Sequence, residues 1–197
     1  MSTNEIALPN KCMLGTATAL RRMPEMQALN GRSNNLNHEL IGQLLGFIMA
    51  HSAAIGDSLE SNELLVPFVI TENKGERISL EFEADTQELA VAKAEKKLTE
   101  LSNDVDAWSY SQDGLVTLQD GSKQDVFFYK IWSKGMSEPL QAYQMYQKHP
   151  FKLIGNVQIL NYTESGLSAD HQEAFIAGLD NGISAHPTGT EKWESWF

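Results

Sequence analysis

Between positions 36 and 58 the apolar residues recur at helical spacing: Leu36, Leu40, Ile41, Leu44, Leu45, Ile48 and Ile55. Phe47 and Met49 widen that face. The pattern predicts a largely buried helix, capped at its start by Asn35 or Asn37. Gly42, Gly46, Ala50 and Ala54 fall four apart and make a ridge of small residues along it. Another helix or a sheet can approach such a ridge closely.

Further along, the period changes. Val66 to Thr71 is an apolar run, Glu72 to Glu76 has turn composition, and Ile78, Leu80 and Phe82 alternate with polar residues. This predicts a β-hairpin over 66–84 with one wet face. Residues 86–102 then read as an amphipathic helix with Leu89, Ala92, Leu98 and Leu101 on its stripe, and Asp85 with Glu88 resembles a capping box. From 107 to 162 strand patterns dominate. Asp113-Gly114 and Asp120-Gly121 are tight-turn signals, Asp125 to Trp132 is the most apolar strand, and a last strand over 151–162 is bent at Gly155. Residues 140–146 fit either a strand or a short helix.

The remaining segments carry weaker patterns. A short helix is expected over residues 12–23 and a linker at Asn30-Gly31. Near the other end, Ser168 or Asp170 is placed to cap a helix through Leu179, followed by Asn181-Gly182, Pro187 and an aromatic tail. The expected architecture is α+β: a mostly antiparallel sheet, one amphipathic helix packed on a face, and an N-terminal helical segment before it. Three segments follow: an N-terminal helical part (1–60), an α+β core (61–164), and a short C-terminal helix with the aromatic tail (165–197).

Charge narrows the partners. The 197 residues carry a formal net charge of -11, of which -1 falls in residues 1–60, -6 in 61–148 and -4 in 149–197. A negative field repels phosphate backbones and anionic bilayers, so neither nucleic acid nor a membrane is expected as a partner. The same field steers a basic protein partner, although acidity also serves solubility alone. Cys12 is the one cysteine, which fits a reducing compartment. The N-terminus lacks the pattern of a signal peptide. The apolar stretch from Ile41 to Ile55 is short and interrupted by Gln43, His51 and Ser52. The expected location is cytoplasmic.

Candidate chemistry is sparse. His38, His51, His149, His171 and His186 have no metal-ligand spacing; His38-Glu39 begins like a zincin motif, but Gly42 stands where the second histidine is needed. No nucleophile elbow, phosphate-cradling glycine loop or calcium-loop spacing occurs. Cys12 has basic neighbours in Lys11, Arg21 and Arg22 but no catalytic signature. Asp104, Asp106, Asp113, Asp120 and Asp125 are explained by turns. No cofactor, metal or catalytic residue is assigned, and the reading leans away from an enzyme.

Two apolar features are candidate interfaces. The ridge of Gly42, Gly46 and Ala50 suits a second copy or a partner helix through residues 36–58, or an element of the same chain; the last weighs more. Trp193, Trp196 and Phe197 suit either docking on a partner or folding back over the core. The leading expectation is a non-enzymatic protein that acts through a protein partner, in its concrete form a basic one, in the manner of an inhibitor or immunity protein. The alternative is a small-molecule-binding protein or enzyme with a pocket between the sheet and the N-terminal helix, lined by His51, Tyr110, Tyr129 and Trp132.

Overall fold

The computed structural model describes residues 36–197. The helix and linker expected within residues 1–35, and Cys12, lie outside that range. The first apolar repeat folds as α1 (His38–Gly56), and Asn37 caps it by accepting the Leu40 N–H at 3.0 Å. The hairpin forms as β1 (Phe68–Asn73) and β2 (Glu76–Glu81). Its two-residue turn has Lys74 at φ 51° and Gly75 at φ 84°, the positive pair a type I′ hairpin needs.

The second helix, α2 (Gln87–Leu101), is not capped by Asp85. Thr86 adopts the extended cap conformation, and its hydroxyl accepts the Leu89 N–H, so the expected Asp85–Glu88 box gives way to a cap one residue later. β3 (Ala107–Thr117) and β4 (Lys123–Ser133) form a long hairpin. Asp113-Gly114 is not a turn: the two residues pair with Phe127 and Val126 inside β3. The turn falls at Asp120-Gly121, where Gly121 has φ 81° and Asp120 Oδ1 accepts from Ser122. Residues 140–146 resolve as strand, in β5 (Leu140–Gln147), and β6 (Lys152–Ile159) is irregular around Gly155 at φ 63°.

The six strands are all antiparallel, in the order β2-β1-β3-β4-β5-β6. This is the α+β sheet the patterns predict. Alternation divides its side chains between two faces. Phe68, Ile70, Phe127, Tyr129, Ile131, Leu140, Ala142 and Tyr146 join the main core with α1. Val69, Trp108 and Tyr110 face the other way and pack with Ala94, Leu98 and Leu101 of α2.

The C-terminal helices complete the main layer. A short turn at Ala169–His171 leads into α3 (Gln172–Ala185), followed by α4 (Pro187–Lys192) and a closing turn, Trp193–Trp196. Asn181-Gly182, a turn signal in the sequence, lies inside α3. The reason is tertiary. A Cβ on Gly178 or Gly182 would fall 2.0 or 2.1 Å from the carbonyl oxygens of Glu39 or Gln43, and one on Gly42 or Gly46 would fall 2.0 Å from those of Phe175 or Leu179. Two glycine stripes therefore bring the α1 and α3 backbones into direct contact. By length and composition α1 is also long and apolar enough to cross a membrane. Here it lies between the sheet and α3, with Ile41, Leu45, Ile48 and Ala53 fully buried.

Candidate functional site

A groove of about 650 Å³ lies between the segment before β1 and the start of α2. Leu59, Leu64, Val66 and Pro67 form one wall, and Phe82, Ala84 and Ala90 the other. Glu63, Glu83, Asp85 and Glu88 line it as well, and no basic side chain does. Val66 is 39% exposed although it is a β-branched apolar residue next to a strand. The groove thus combines an apolar lining with a carboxylate rim.

Its walls are held from inside the fold. Leu65 is buried between the half-buried Leu64 and the exposed Val66. Its N–H donates to Asp113 Oδ2 at 2.5 Å, and its carbonyl accepts from Gln87 Nε2 at 3.2 Å. One bond ties the segment to the sheet and the other ties it to α2. Asp113 Oδ1 also accepts the Tyr146 hydroxyl at 2.5 Å, and Tyr146 stacks on Phe127 at 4.0 Å. Burial pushes the Asp113 carboxyl up to about 6, against the lowering effect of the Tyr146 and Leu65 bonds. The Asp113-Gly114 pattern predicts a turn; in the fold Asp113 anchors the groove.

A second polar cluster joins α1 to α4. His51 Nδ1 lies 3.0 Å from His186 Nε2. His186 Nδ1 accepts the Gly189 N–H at 3.1 Å, at the start of α4. That bond leaves His186 Nε2 as the protonated nitrogen, which donates to His51 Nδ1. Phe47 and Phe68 pack around the pair, and Arg77 lies over the Phe47 ring at 4.7 Å. Desolvation lowers the pKa of His51, opposed by the nearby Glu81 charge. Desolvation also lowers that of His186, helped by the proximity of His51. The chemistry of this cluster is that of a neutral, hydrogen-bonded clasp. His38 plays a similar part at the other end of α1, donating to the Leu36 carbonyl, accepting the Ser168 N–H and stacking on His171 at 4.6 Å.

The four residues expected to line one pocket are divided by the sheet. His51 and Tyr129 lie in the α1 layer and Tyr110 on the α2 side, whereas the half-buried Trp132 packs against both clusters. The register gives the cause: Tyr110 pairs with Lys130 and Tyr129 with Ser111, so the two tyrosines point to opposite sides. Tyr110 donates to Gln112 within its own strand, and Trp132 stacks on Trp108 at 6.2 Å. The fully buried Tyr129 hydroxyl has the Ser52 side chain close enough to affect its titration, but not in ordinary hydrogen-bond geometry. Ser52 instead meets Ser111 at 2.8 Å. The space between α1 and the sheet is filled with side chains, and the groove lies elsewhere.

The candidate interface residues are placed as follows. Gly42 and Gly46 meet the α3 backbone, and Ala50 lies against Gly189 of α4, so α3 and α4 of the same chain occupy the ridge. Trp196 is buried against Phe151, Trp193 is half-buried, and Phe197 is 44% exposed. The groove itself was missed because its lining is discontinuous and has no motif. In the sequence, the available signal is a Val66-Pro67 pair set among Glu63, Glu83, Asp85 and Glu88. Among the described residues, no three His, Cys, Asp or Glu side chains gather in a metal-binding group.

The fold and groove define a class: an α+β protein with helices on both faces of an antiparallel sheet and an apolar, carboxylate-lined groove beside it. No protein-family model, curated protein or solved structure matches the chain.

Proposed function

We propose that this is a non-enzymatic binding protein that seats a basic, apolar-tipped segment of a partner protein in the groove between residues 59–67 and 82–90. The carrying observation is the lining: an exposed apolar surface around Val66 and Phe82, with four carboxylates and no basic side chain. Burying one aliphatic or aromatic anchor there contributes about 1.5–3 kcal/mol. The carboxylates select positively charged flanks and speed encounter. An inhibitor or immunity protein that occludes a basic target is the concrete form of this reading, and a reducing cytoplasm is its proposed setting.

An NMR titration of the full chain tests it with two synthetic peptides, each carrying one central Leu, one flanked by Lys and Arg and the other by Glu. The basic peptide is expected to shift the amide signals of Leu64, Val66, Phe82 and Ala90, with affinity falling as salt rises from low to physiological strength. Equal shifts with both peptides, or none at the groove with the basic one, would overturn the reading. The groove volume also suits a small molecule. Groove shifts with neutral metabolites and none with the basic peptide would replace the protein partner by that ligand class.

A further inference from the structure

β2 stands at one end of the strand order. Four successive residues on it, Glu76, Arg77, Ile78 and Ser79, are exposed, and Ile78 leaves 56% of its surface open to solvent. The pairing with β1 fixes where the β2 backbone points. The Phe82 N–H donates to the Pro67 carbonyl at 2.9 Å, one step beyond the Phe68–Glu81 pair. Alternation then turns the N–H and C=O groups of Leu80 and Ile78 toward β1 and aims those of Arg77, Ser79 and Glu81 outward. Such an edge is a template for another strand. The faces are fixed as well. Arg77 lies over the Phe47 ring of α1, and Glu81 pairs with Phe68 of the main core, so Arg77, Ser79 and Glu81 share the α1 face. Phe82 packs with the α2 cluster, which places Ile78 and Leu80 on the opposite face.

We propose that β2 pairs antiparallel with β2 of a second copy of this chain, about a two-fold axis at Ser79. In this register the edge is complementary to itself. The two Ser79 residues exchange N–H···O bonds. Arg77 stands opposite Glu81 of the second copy, twice by symmetry. Ile78 stands opposite Leu80 of the second copy, which covers its exposed side chain. Opposite charges and apolar groups facing each other across strands are the pairs that stabilise a sheet. Centring the axis on Arg77 or on Glu81 would oppose like charges instead. Arg77 also pairs with Glu72 at 3.0 Å, so it joins carboxylates of both copies. The interface is small and each copy carries a net charge of -11. The dimer is therefore weak and needs physiological salt, which screens repulsion beyond about 8 Å. The groove reaches this strand only past its end, at Phe82 and Glu83, so the pairing stands or falls separately from the groove.

Sedimentation of the full chain at physiological salt, from about 10 µM to about 1 mM, is expected to show a reversible monomer–dimer equilibrium. Over the same range, amide exchange read by NMR is expected to slow with concentration at Arg77, Ser79 and Glu81. It should stay constant at Ile78 and Leu80, whose N–H groups already bond to β1. Ser79→Pro removes an N–H that faces outward in the single copy, a place where edge strands accept proline. It is expected to weaken association at least about tenfold. Arg77→Glu is expected to weaken it as well, and adding Glu81→Arg to restore it, because the charges then pair in reverse. A monomer at every concentration would overturn the proposal. So would protection of the three amides that does not change on dilution, since the edge would then be closed within one chain. A dimer that Arg77→Glu leaves unchanged would place the contact elsewhere and overturn it too.

Discussion

The Leu65 N–H donates to Asp113 Oδ2 across 2.5 Å, and this bond fastens the wall of an exposed groove to a carboxylate buried in the middle of β3. Replacing Asp113 by Ala leaves the Leu65 N–H and the Tyr146 hydroxyl buried without their acceptor. Stability is expected to fall by about 1–3 kcal/mol. The amide signals of Leu64 to Val66 are expected to move with it. Urea denaturation and a heteronuclear NMR spectrum check both, and an unchanged Leu64–Val66 region would show that the segment is held by other contacts.

Asp113 also sets one pH dependence. Its folded pKa, about 6, lies above the ordinary 3.8. Its stabilising contribution is therefore fully present below pH 3.8 and lost as pH rises through about 6. Compared with Asp113→Asn, which does not titrate, the wild type is expected to lose relative stability between pH 4 and 7. Parallel denaturation curves across that window, without divergence, would contradict it.

The histidine clasp acts with the opposite sign. Burial lowers the folded pKa values of His51 and His186 below 6.5. Their contribution is fully present above pH 6.5 and is lost as pH falls through the lowered folded values. A His51→Gln, His186→Gln double variant is expected to flatten this part of the profile. The wild type should then gain stability relative to the variant between pH 5 and 7, measured by chemical denaturation.

The glycine contacts predict that two formally similar substitutions disturb different parts of the fold. In Gly46→Ala the new Cβ meets the Leu179 carbonyl oxygen at 2.0 Å, so α1 and α3 must separate. A loss of about 1–3 kcal/mol or more is expected. Gly75→Ala meets nothing within 4 Å, and only its φ of 84° opposes the change, at a cost of about 1–2 kcal/mol. Gly46→Ala should also loosen hydrogen-exchange protection across α3, whereas Gly75→Ala should leave α3 unchanged.

The aromatic tail divides in the same way. Trp196 is buried against Phe151, and Trp196→Ala is expected to cost about 3–5 kcal/mol. Phe197 is 44% exposed and edges only onto Trp193 within the tail. Phe197→Ala is expected to stay within about 0.5 kcal/mol of wild type. Thermal or urea melts of the two variants give the comparison directly.

Elements with a local cause are legible in the order of residues alone. Helical periodicity marked α1 and α2, period-two alternation marked β2, and the Asp120-Gly121 turn and the Gly155 irregularity follow from residue types. Net charge likewise belongs to composition. Packing between distant segments selected which turn signals form turns. Asp113-Gly114 stayed in a strand because Leu65 and Tyr146 supply Asp113 with donors, and Asn181-Gly182 stayed in a helix because Gly182 meets the α1 backbone. It also decided that His51 meets His186, 135 positions away, and that Tyr110 and Tyr129 turn from each other. The reason is common to these cases. Spacing along a chain specifies which side of an element a residue occupies, but what lies opposite that side depends on register and packing between segments far apart in sequence.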